Sequence, residues 1–322
     1  MKRFFLLSTL FLVLSGLATA VWGWSLLNYR SANFSPTAFV VNRGDSLLSI
    51  SRRLAKTEPP LSPNPYLVAV LALTRGLDRQ LQAGVFTIPP SSSPIQLVDI
   101  LSQPGSFDYW WQILPGSRLE EISISLPVEL NLAPADFLAL SKGQEGRFFP
   151  EKYKVPLHYS PESVLALPTS EFDKQLAIAK QSSALNLSDS QTLILASMLE
   201  REAKTPTTKQ TIAGIILNRL AANMPLQIDA TVQYARDSRL PHPNTFWLPP
   251  TKTDLTVSSP YNTYLNPGLP PGPICSPGSD SLYAAYHPIT TNYYYYISDP
   301  TGQMHYARTL DEHNANIAKY LR

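Results

Sequence analysis

The stretch "LILASMLEREAKTP", residues 193–206, decides the fold, because a run that reads as a buried helix ends in two glutamates. Helical spacing places each acid at the end of an apolar or small-residue stripe: Leu195, Met198, Leu199 and Glu202 in one, Leu193, Ala196, Ser197 and Glu200 in the other. Partial burial raises the pKa of a carboxyl toward the range that a general acid needs. The alternative is a helix end in solvent, with both acids paired to Arg201, Lys204 or Arg219.

This helix begins at Ser188, because "SDSQ" places Gln191 at the third helical position and gives a capping-box pattern. Similar patterns predict helices over residues 161–182 and 207–224, on either side of it. Residues 227–281 are rich in proline, asparagine and aromatic residues and are predicted to be mostly loop. A hairpin with its turn at residues 299–302 and a short helix from Thr309 follow.

Composition excludes several kinds of protein. The chain has 322 residues, a net charge of only +2 and 16% charged residues, which argues against a nucleic-acid partner. One cysteine, Cys275, can form neither an internal disulfide nor a zinc site, and the five histidines show no H-E-x-x-H spacing. The sequence has no G-x-S-x-G elbow, no Walker pattern and no dinucleotide-binding glycines. We therefore expect carboxylate chemistry, with no metal and no cofactor.

The N-terminal segment, residues 1–30, places Lys2 and Arg3 before an uncharged stretch that runs from Phe4 to Asn28. The "ATA" that ends at Ala20 is typical of a signal-peptide cleavage site. The apolar stretch nevertheless continues to Leu27, which is long enough for a helix to span a bilayer. The pattern favours an uncleaved single-pass anchor in the cell membrane, with its N-terminus inside and the remaining chain outside the cytoplasm.

Residues 31–105 form a predicted small α/β subdomain. The stretch 38–55 indicates strand, turn and amphipathic helix, and helices over 63–76 and 93–105 enclose a strand at 81–90. The "V-x-x-GDSLLSIS" pattern in this stretch resembles LysM modules, which bind glycan chains. The alternative is a small α/β spacer with a common turn.

Residues 106–160 are predicted to connect this subdomain to a catalytic domain at 161–322, which makes the whole an α+β protein. Within the connecting region, 110–126 indicates a strand, a turn and the start of a helix, and "GRFFPEKYKV" (146–155) a structured loop. The catalytic domain should be mixed helix and loop.

Four separated motifs resemble the endolytic murein transglycosylases, the MltG or YceG-like family. Residues 194–235 resemble that family's A-S-I-V-E-K-E, N-R-L and L-Q-x-D-P-T-V-x-Y patterns. Residues 259–288 resemble its Y-N-T-Y and G-L-P-P-G-P-I segment, 146–155 its F-P-D-T-Y, and 81–88 its L-K-A-G-x-Y. The motifs occur in family order. Three positions depart from the pattern, Ala203, Ala230 and Cys275, and none removes an expected catalytic group.

The resemblance implies a membrane-anchored lyase that cuts the β-1,4 bond between MurNAc and GlcNAc in nascent peptidoglycan and terminates strand elongation. In such enzymes one glutamate protonates the leaving oxygen and then activates the MurNAc 6-hydroxyl, which closes a 1,6-anhydro ring. Comparison with soluble lytic transglycosylases, which the family resembles around this glutamate, points to Glu202 as the acid/base, with Glu200 as its neighbour or replacement. The expected glycan-contacting residues are Gln227, Asp229, Tyr261, Asn262 and Tyr264; plain loop structure is their alternative role.

Two other functions stay open on the sequence. One is a cell-wall-binding or scaffold protein with an inactive catalytic domain, and the other is a muramidase that uses water. The resemblance also implies peptidoglycan strands as the substrate and peptidoglycan synthases as partners.

Overall fold

The computed structural model describes residues 2–33, 35–42, 44–77, 81, 83–103, 105, 108–127, 130, 132–156, 159–239 and 245–321, without the side chains of residues 2–10. It is a mixed helix-and-strand protein with small two-stranded sheets, which confirms the predicted α+β class. The chain divides into two compact units. The first comprises 1–110, 127–131 and 154–158; the second comprises 111–126, 132–153 and 159–322. The finer division at 30, 105 and 160 stays a prediction.

The first unit contains the predicted strand–helix–helix–strand subdomain and a flanking helix on either side. Its elements are α1 (Lys2–Leu27), β1 (Thr37–Val41), α2 (Leu47–Ala55), α3 (Leu67–Thr74), β2 (Gly84–Ile88) and α4 (Pro94–Leu101). Strands β1 and β2 pair antiparallel, with Phe39 opposite Phe86. Leu54 and Val68, one from each helix between the strands, are fully buried in the core of this unit. The helices and strands predicted in this region are confirmed.

Helix α1 covers the predicted membrane segment. Across the described residues, which omit the first ten side chains, no helix has both the length and the apolar character needed to cross a membrane.

The middle of the chain holds more regular structure than predicted. Strands β3 (Asp108–Gln112) and β4 (Lys152–Pro156) pair as a second small sheet, and helices α5 (Leu119–Ile124) and α6 (Pro134–Leu140) lie between them in sequence. The prediction of a loop over residues 146–155 is therefore wrong from Lys152 onward. Val155 is the one fully buried residue of β4, so the alternation that marks a strand is too short to recognise.

The second unit is built around one buried helix. Its remaining elements are α7 (Pro161–Ala179), α8 (Asp189–Glu202), α9 (Pro206–Ala221), α10 (Asp229–Asp237), α11 (Ser279–Tyr286), β5 (Tyr295–Ser298), β6 (Met304–Ala307) and α12 (Leu310–Tyr320). Helix α8 packs against α9, α10 and α11. Both of its predicted apolar stripes are buried, and the capping box of Ser188 and Gln191 is present. These packing contacts fix the place where α8 ends.

One helix lies where loop was predicted. Residues 227–281 are mostly irregular within their described part, but α10 (Asp229–Asp237) breaks the loop near its start. Val232 and Ala235 of α10 are buried among the core residues, while Asp229 stays exposed at its first turn. The buried face covers little more than two turns, which is too short for periodicity to separate it from a loop.

The C-terminal hairpin is as predicted. Strands β5 and β6 pair antiparallel, with Tyr296 opposite Tyr306. Asp299 closes the turn, because its side chain accepts hydrogen bonds from the backbone N–H groups of Thr301 (2.9 Å) and Gln303 (3.0 Å). The hairpin thereby fixes the position of Tyr296 on β5.

Candidate active site

The two glutamates lie in the last turn of α8. The helix stops because Ala203 is extended (φ −146°), and Thr205 then caps α9 by accepting a hydrogen bond from the backbone of Thr208. Glu200 and Glu202 are two residues apart, so their side chains leave the helix in different directions. They therefore enter different surroundings.

Glu200 is surrounded by hydrogen-bond donors. One carboxylate oxygen accepts from the backbone N–H of Gly278 at 2.9 Å and from the hydroxyl of Ser281 at 2.6 Å. Both oxygens lie 3.3 Å from Nζ of Lys209, which is only 5% exposed. Donors alone around a carboxyl suit its ionised form, which can only accept. Glu200 therefore forms an ion pair, as the alternative interpretation of this helix end predicted. Its partner is Lys209, which the sequence analysis did not single out.

Glu200 also lines an open cavity of about 480 Å³. The wall is rich in carboxyls, from Glu151, Glu171 and Asp280 in addition to Glu200, and contains one cation, Lys209. Its other residues are Pro115, Phe149, Pro150, Gln175, Gly278 and Ser279. Three motifs that are far apart in sequence, around residues 150, 200 and 279, therefore meet at this cavity.

Glu202 lies in a drier place. The hydroxyl of Tyr296 donates a hydrogen bond to its carboxyl at 2.8 Å, and no cation forms an ion pair with it among the described residues. Burial raises the pKa of Glu202, and the nearby negative charge of Asp229 raises it further. The Tyr296 hydroxyl and the Arg201 guanidinium act in the opposite direction and lower the pKa. A carboxyl in these surroundings keeps its proton more readily than an exposed one and can donate it.

Two of the predicted glycan-contacting residues lie beside Glu202. The Tyr264 hydroxyl donates a hydrogen bond of 2.6 Å to Asp229. Burial, the bond to Asp229 and the charges of Asp229 and Glu202 all raise the pKa of the Tyr264 phenol. The structure thus brings Glu202, Asp229 and Tyr264 together. The sequence analysis did not predict Tyr296 as a site residue. Strand alternation in "NYYYYIS" places it on the same face as Tyr294, which is the one local signal that the sequence offers.

The other predicted contacts hold the loops. Asn262 is fully buried; its amide donates to the carbonyls of Leu255 and Val257, both at 2.9 Å, and its oxygen accepts from the Tyr264 N–H. The Tyr261 ring packs 4.8 Å from that of Tyr234. Gln227 is exposed and left-handed (φ 53°). Loop structure thus accounts for the side chain of Asn262, and glycan contact stays a prediction for all three.

A second buried network was not predicted. The Arg118 guanidinium is fully buried, pairs with both oxygens of Glu120 at 2.7 and 2.8 Å, and stacks 4.2 Å from the Tyr234 ring centre. Burial and the charge of Glu120 raise the pKa of the neighbouring Glu145 to about 8. Glu145 accepts from the Leu119 N–H and from the Tyr234 hydroxyl at 3.3 Å. Glu145 directly precedes the 146–155 motif.

Glu202, a carboxyl with a raised pKa, ends the helix whose Glu200 lines a cavity rich in acids. A carboxyl with a raised pKa near other acids is the kind of acid–base site that carbohydrate-cleaving enzymes use. Comparison of the sequence with known protein families identifies the family within this class of enzymes. The model of the YceG-like family matches residues 39–319, and the chain belongs to that family.

Relatives in three genera agree with this assignment. The chain is 41% identical over 129 residues to an endolytic murein transglycosylase of Bacillus subtilis, a match that covers 40% of this chain and 34% of that protein. It is 30% identical over 179 residues to the endolytic murein transglycosylase of Streptococcus pneumoniae, covering 55% and 32%. A crystal structure of a yceG-like protein from Listeria monocytogenes superimposes with a TM-score of 0.55 at 25% identity, over 88% of this chain and 99% of that one. The matches span about a third of the curated relatives' length.

Proposed function

We propose that this protein is a peptidoglycan lytic transglycosylase that cleaves the MurNAc–GlcNAc β-1,4 bond within nascent strands and so ends their elongation. The observation that carries the proposal is the setting of Glu202, a carboxyl with a raised pKa and a hydroxyl partner at the end of a buried helix. The names of the relatives in Bacillus and Streptococcus support it.

The proposed reaction needs one group that first gives and then takes a proton. Glu202 protonates the glycosidic oxygen, and the bond from the MurNAc C1 to that oxygen breaks. The carboxylate then accepts the proton of the MurNAc 6-hydroxyl, whose oxygen bonds to C1 and closes the 1,6-anhydro ring. Burial favours the neutral form needed first, while Tyr296 and Arg201 stabilise the anion that follows. Because the substrate supplies its own nucleophile, the reaction requires neither a second carboxylate nor a cofactor.

Glu200 has a supporting part in this proposal. Its bonds to Gly278 and Ser281 fix the start of α11 against the end of α8, and its ion pair with Lys209 forms one wall of the cavity. Since Glu200 lines the cavity and Glu202 does not, Glu200 is also the natural replacement if the scissile bond lies there. Asp229 and Tyr264, beside Glu202, are proposed sugar contacts, and Gln227 and Tyr261 are proposed as further ones. The buried Asn262 is proposed to shape the loop that carries Tyr261 and Tyr264.

The decisive experiment is mass spectrometry of purified glycan strands treated with the full chain, without added metal. We expect products that end in 1,6-anhydro-MurNAc. Hydrated reducing MurNAc ends would instead identify a water-using muramidase. Binding to strands without any cleavage would identify the alternative of an inactive cell-wall-binding or scaffold protein.

Three finer parts of the proposal concern placement. The uncharged segment within residues 1–30 serves as a single-pass membrane anchor with its N-terminus inside. The strand–helix–helix–strand order of the first unit supports a LysM-like subdomain that binds glycan. Peptidoglycan synthases are the proposed partners, because an enzyme that ends nascent strands must work where they are made.

A further inference from the structure

Arg201 separates the two glutamates in sequence and is itself held on two sides. Although the residue is exposed, its guanidinium lies 4.1 Å from the centre of the Trp247 ring. An arginine stacked on an indole gains from both the cation–π attraction and planar contact. Its direction is therefore set by the position of Trp247.

Trp247 is itself fixed by polar bonds. Its backbone is left-handed (φ 64°), a costly conformation for a bulky residue that persists only where the surroundings enforce it. Here the backbone N–H donates to the buried Asp237 at 2.9 Å, and the indole N–H donates to Glu121 at 2.8 Å. The ring is thus a rigid support for Arg201.

Gly116 closes the opposite side. A Cβ at this position would lie 3.1 Å from Nη1 and 3.4 Å from Cδ of Arg201, so a larger residue would press on the Arg201 side chain. The Gly116 backbone is also left-handed (φ 79°). Its loop is tied down, because the Gly116 N–H donates to the Ser276 carbonyl at 2.9 Å and the Ser276 N–H donates to Ser117 at 2.8 Å. Arg201 consequently lies in a slot between a tethered loop and a fixed ring.

The charged and titratable groups that face Glu202 come from several elements. They are Tyr296 on β5, Asp229 on α10, Tyr264 on the following loop and Arg201 on α8, and Arg219 on α9 acts on both tyrosines. Arg201 is the one cation among them that acts on Glu202 itself. A cation near a buried carboxyl stabilises the ionised form.

We infer that Arg201, held between Trp247 and Gly116, is a positioning residue that orients the end of α8 and keeps Glu202 able to release its proton. The inference rests on the proposed function, since release and recovery of one proton is what the transglycosylase reaction asks of Glu202. Without the guanidinium, burial would hold the proton too firmly for Glu202 to give it up in the first step.

The test combines a titration with kinetics on the full chain. Carbon-13 NMR of labelled glutamate side chains, with the Glu202 signal assigned through Glu202→Gln, follows protonation of Glu202 directly. We expect Arg201→Gln to shift its midpoint to higher pH and to lower kcat about 10- to 100-fold with little change in KM. Arg201→Lys, which keeps the charge but not the planar stack, should restore most of the midpoint and less of kcat.

Arg147 provides the matched control, because it also lies over an aromatic ring, 5.5 Å from Phe172, and pairs with Asp173 at 2.7 Å. Arg147→Gln should leave the Glu202 midpoint and kcat unchanged. A Glu202 midpoint that does not move in Arg201→Gln overturns the inference, whether or not the protein cleaves strands. If the midpoint moves but the wild-type chain makes no anhydro ends, the hold of Arg201 on Glu202 stands and the proposed function fails.

Discussion

At the scale of single residues, Glu200 and Glu202 lie two positions apart on one helix but in different chemical surroundings. Glu200 meets a lysine, a hydroxyl and a backbone N–H, all of them donors. Glu202 meets one hydroxyl, the repulsion of Asp229 and the attraction of Arg201. The two carboxyls therefore lie in different surroundings, and the proposed mechanism gives them separate roles.

Glutamine substitutions separate these roles. Glu202→Gln keeps the shape and good helix propensity of glutamate but cannot donate and recover a proton, so strand cleavage should fall by about 10²- to 10⁴-fold or more. Glu200→Gln keeps the proton donor and should cost less. Release of anhydro-MurNAc ends measures both, with thermal unfolding as the check on folding. If Glu200→Gln is inactive and Glu202→Gln is active, Glu200 is the acid/base residue instead of Glu202. If both variants cleave strands normally, neither glutamate has that role.

Glu145 gives the protein a pH-dependent stability. Its folded-state pKa of about 8 exceeds the ordinary value of 4.5 for a glutamate carboxyl, so the folded state binds this proton more tightly than the unfolded chain. Its contribution is complete below the unfolded pKa and is lost as the pH rises through about 8. The free energy of unfolding should therefore decline between these values, by at most about 1.4 kcal/mol per pH unit from this group.

Urea unfolding of wild type and Glu145→Gln at about pH 5, 7 and 9, a range that spans the titration of Glu145, tests this. The variant keeps an uncharged side chain of similar shape, and its stability should vary less with pH. Equal slopes in both proteins would show that Glu145 does not carry the effect.

The sequence alone predicted the two acids of the site but not the residues that bind them. The end of an apolar stripe pointed to Glu200 and Glu202 because helix periodicity is local. Lys209, Tyr296 and Ser281 approach from α9, β5 and α11, up to 94 residues away, and no local pattern records which of them meets which acid. Asn262 shows the converse, since a motif position expected to touch glycan uses its amide to bind backbone.

At the scale of elements, α8 separates stability from chemistry along its own length. Its first turn is closed by the capping box of Ser188 and Gln191, with bonds of 3.2 and 3.0 Å. Its last turn carries the two acids. Between them, Leu195, Met198 and Leu199 are fully buried and tie the helix to the core.

Ser188→Ala should therefore destabilise the protein without altering its chemistry. Loss of the N-cap costs about 1 kcal/mol. The midpoint of urea unfolding should fall, while kcat on glycan strands stays at the wild-type value because the cap and the acids lie at opposite ends of a helix held by its core. A parallel fall in kcat at temperatures where the variant is fully folded would contradict this separation.

The elements that could be predicted share a clear period or a clear turn. The long helices, the β1–β2 pair and the terminal hairpin belong to this group. Elements α6, α10 and β4 do not, because none of them shows a clear period in the sequence and each owes its regularity to packing. For such short segments tertiary contacts outweigh local propensity.

At the scale of the whole molecule, each unit has its own hydrophobic core, and the site described above belongs entirely to the second unit. The proposed anchor belongs to the first. We expect the native protein to remain with membranes after a high-salt wash and to keep residues 1–20. Intact-mass analysis decides this, and a mature N-terminus at Val21 would show that the segment is a cleaved signal instead.

The bond between Tyr296 and Glu202 joins positions 94 residues apart, so the surroundings of Glu202 are completed late in synthesis. During synthesis Glu202 leaves the ribosome long before the hairpin that supplies its hydroxyl partner. Until that hairpin has been made and has folded back, the acid lacks the group that steadies its anion. In the proposed mechanism, Glu202 therefore acquires its hydroxyl partner only when translation has almost passed the second unit.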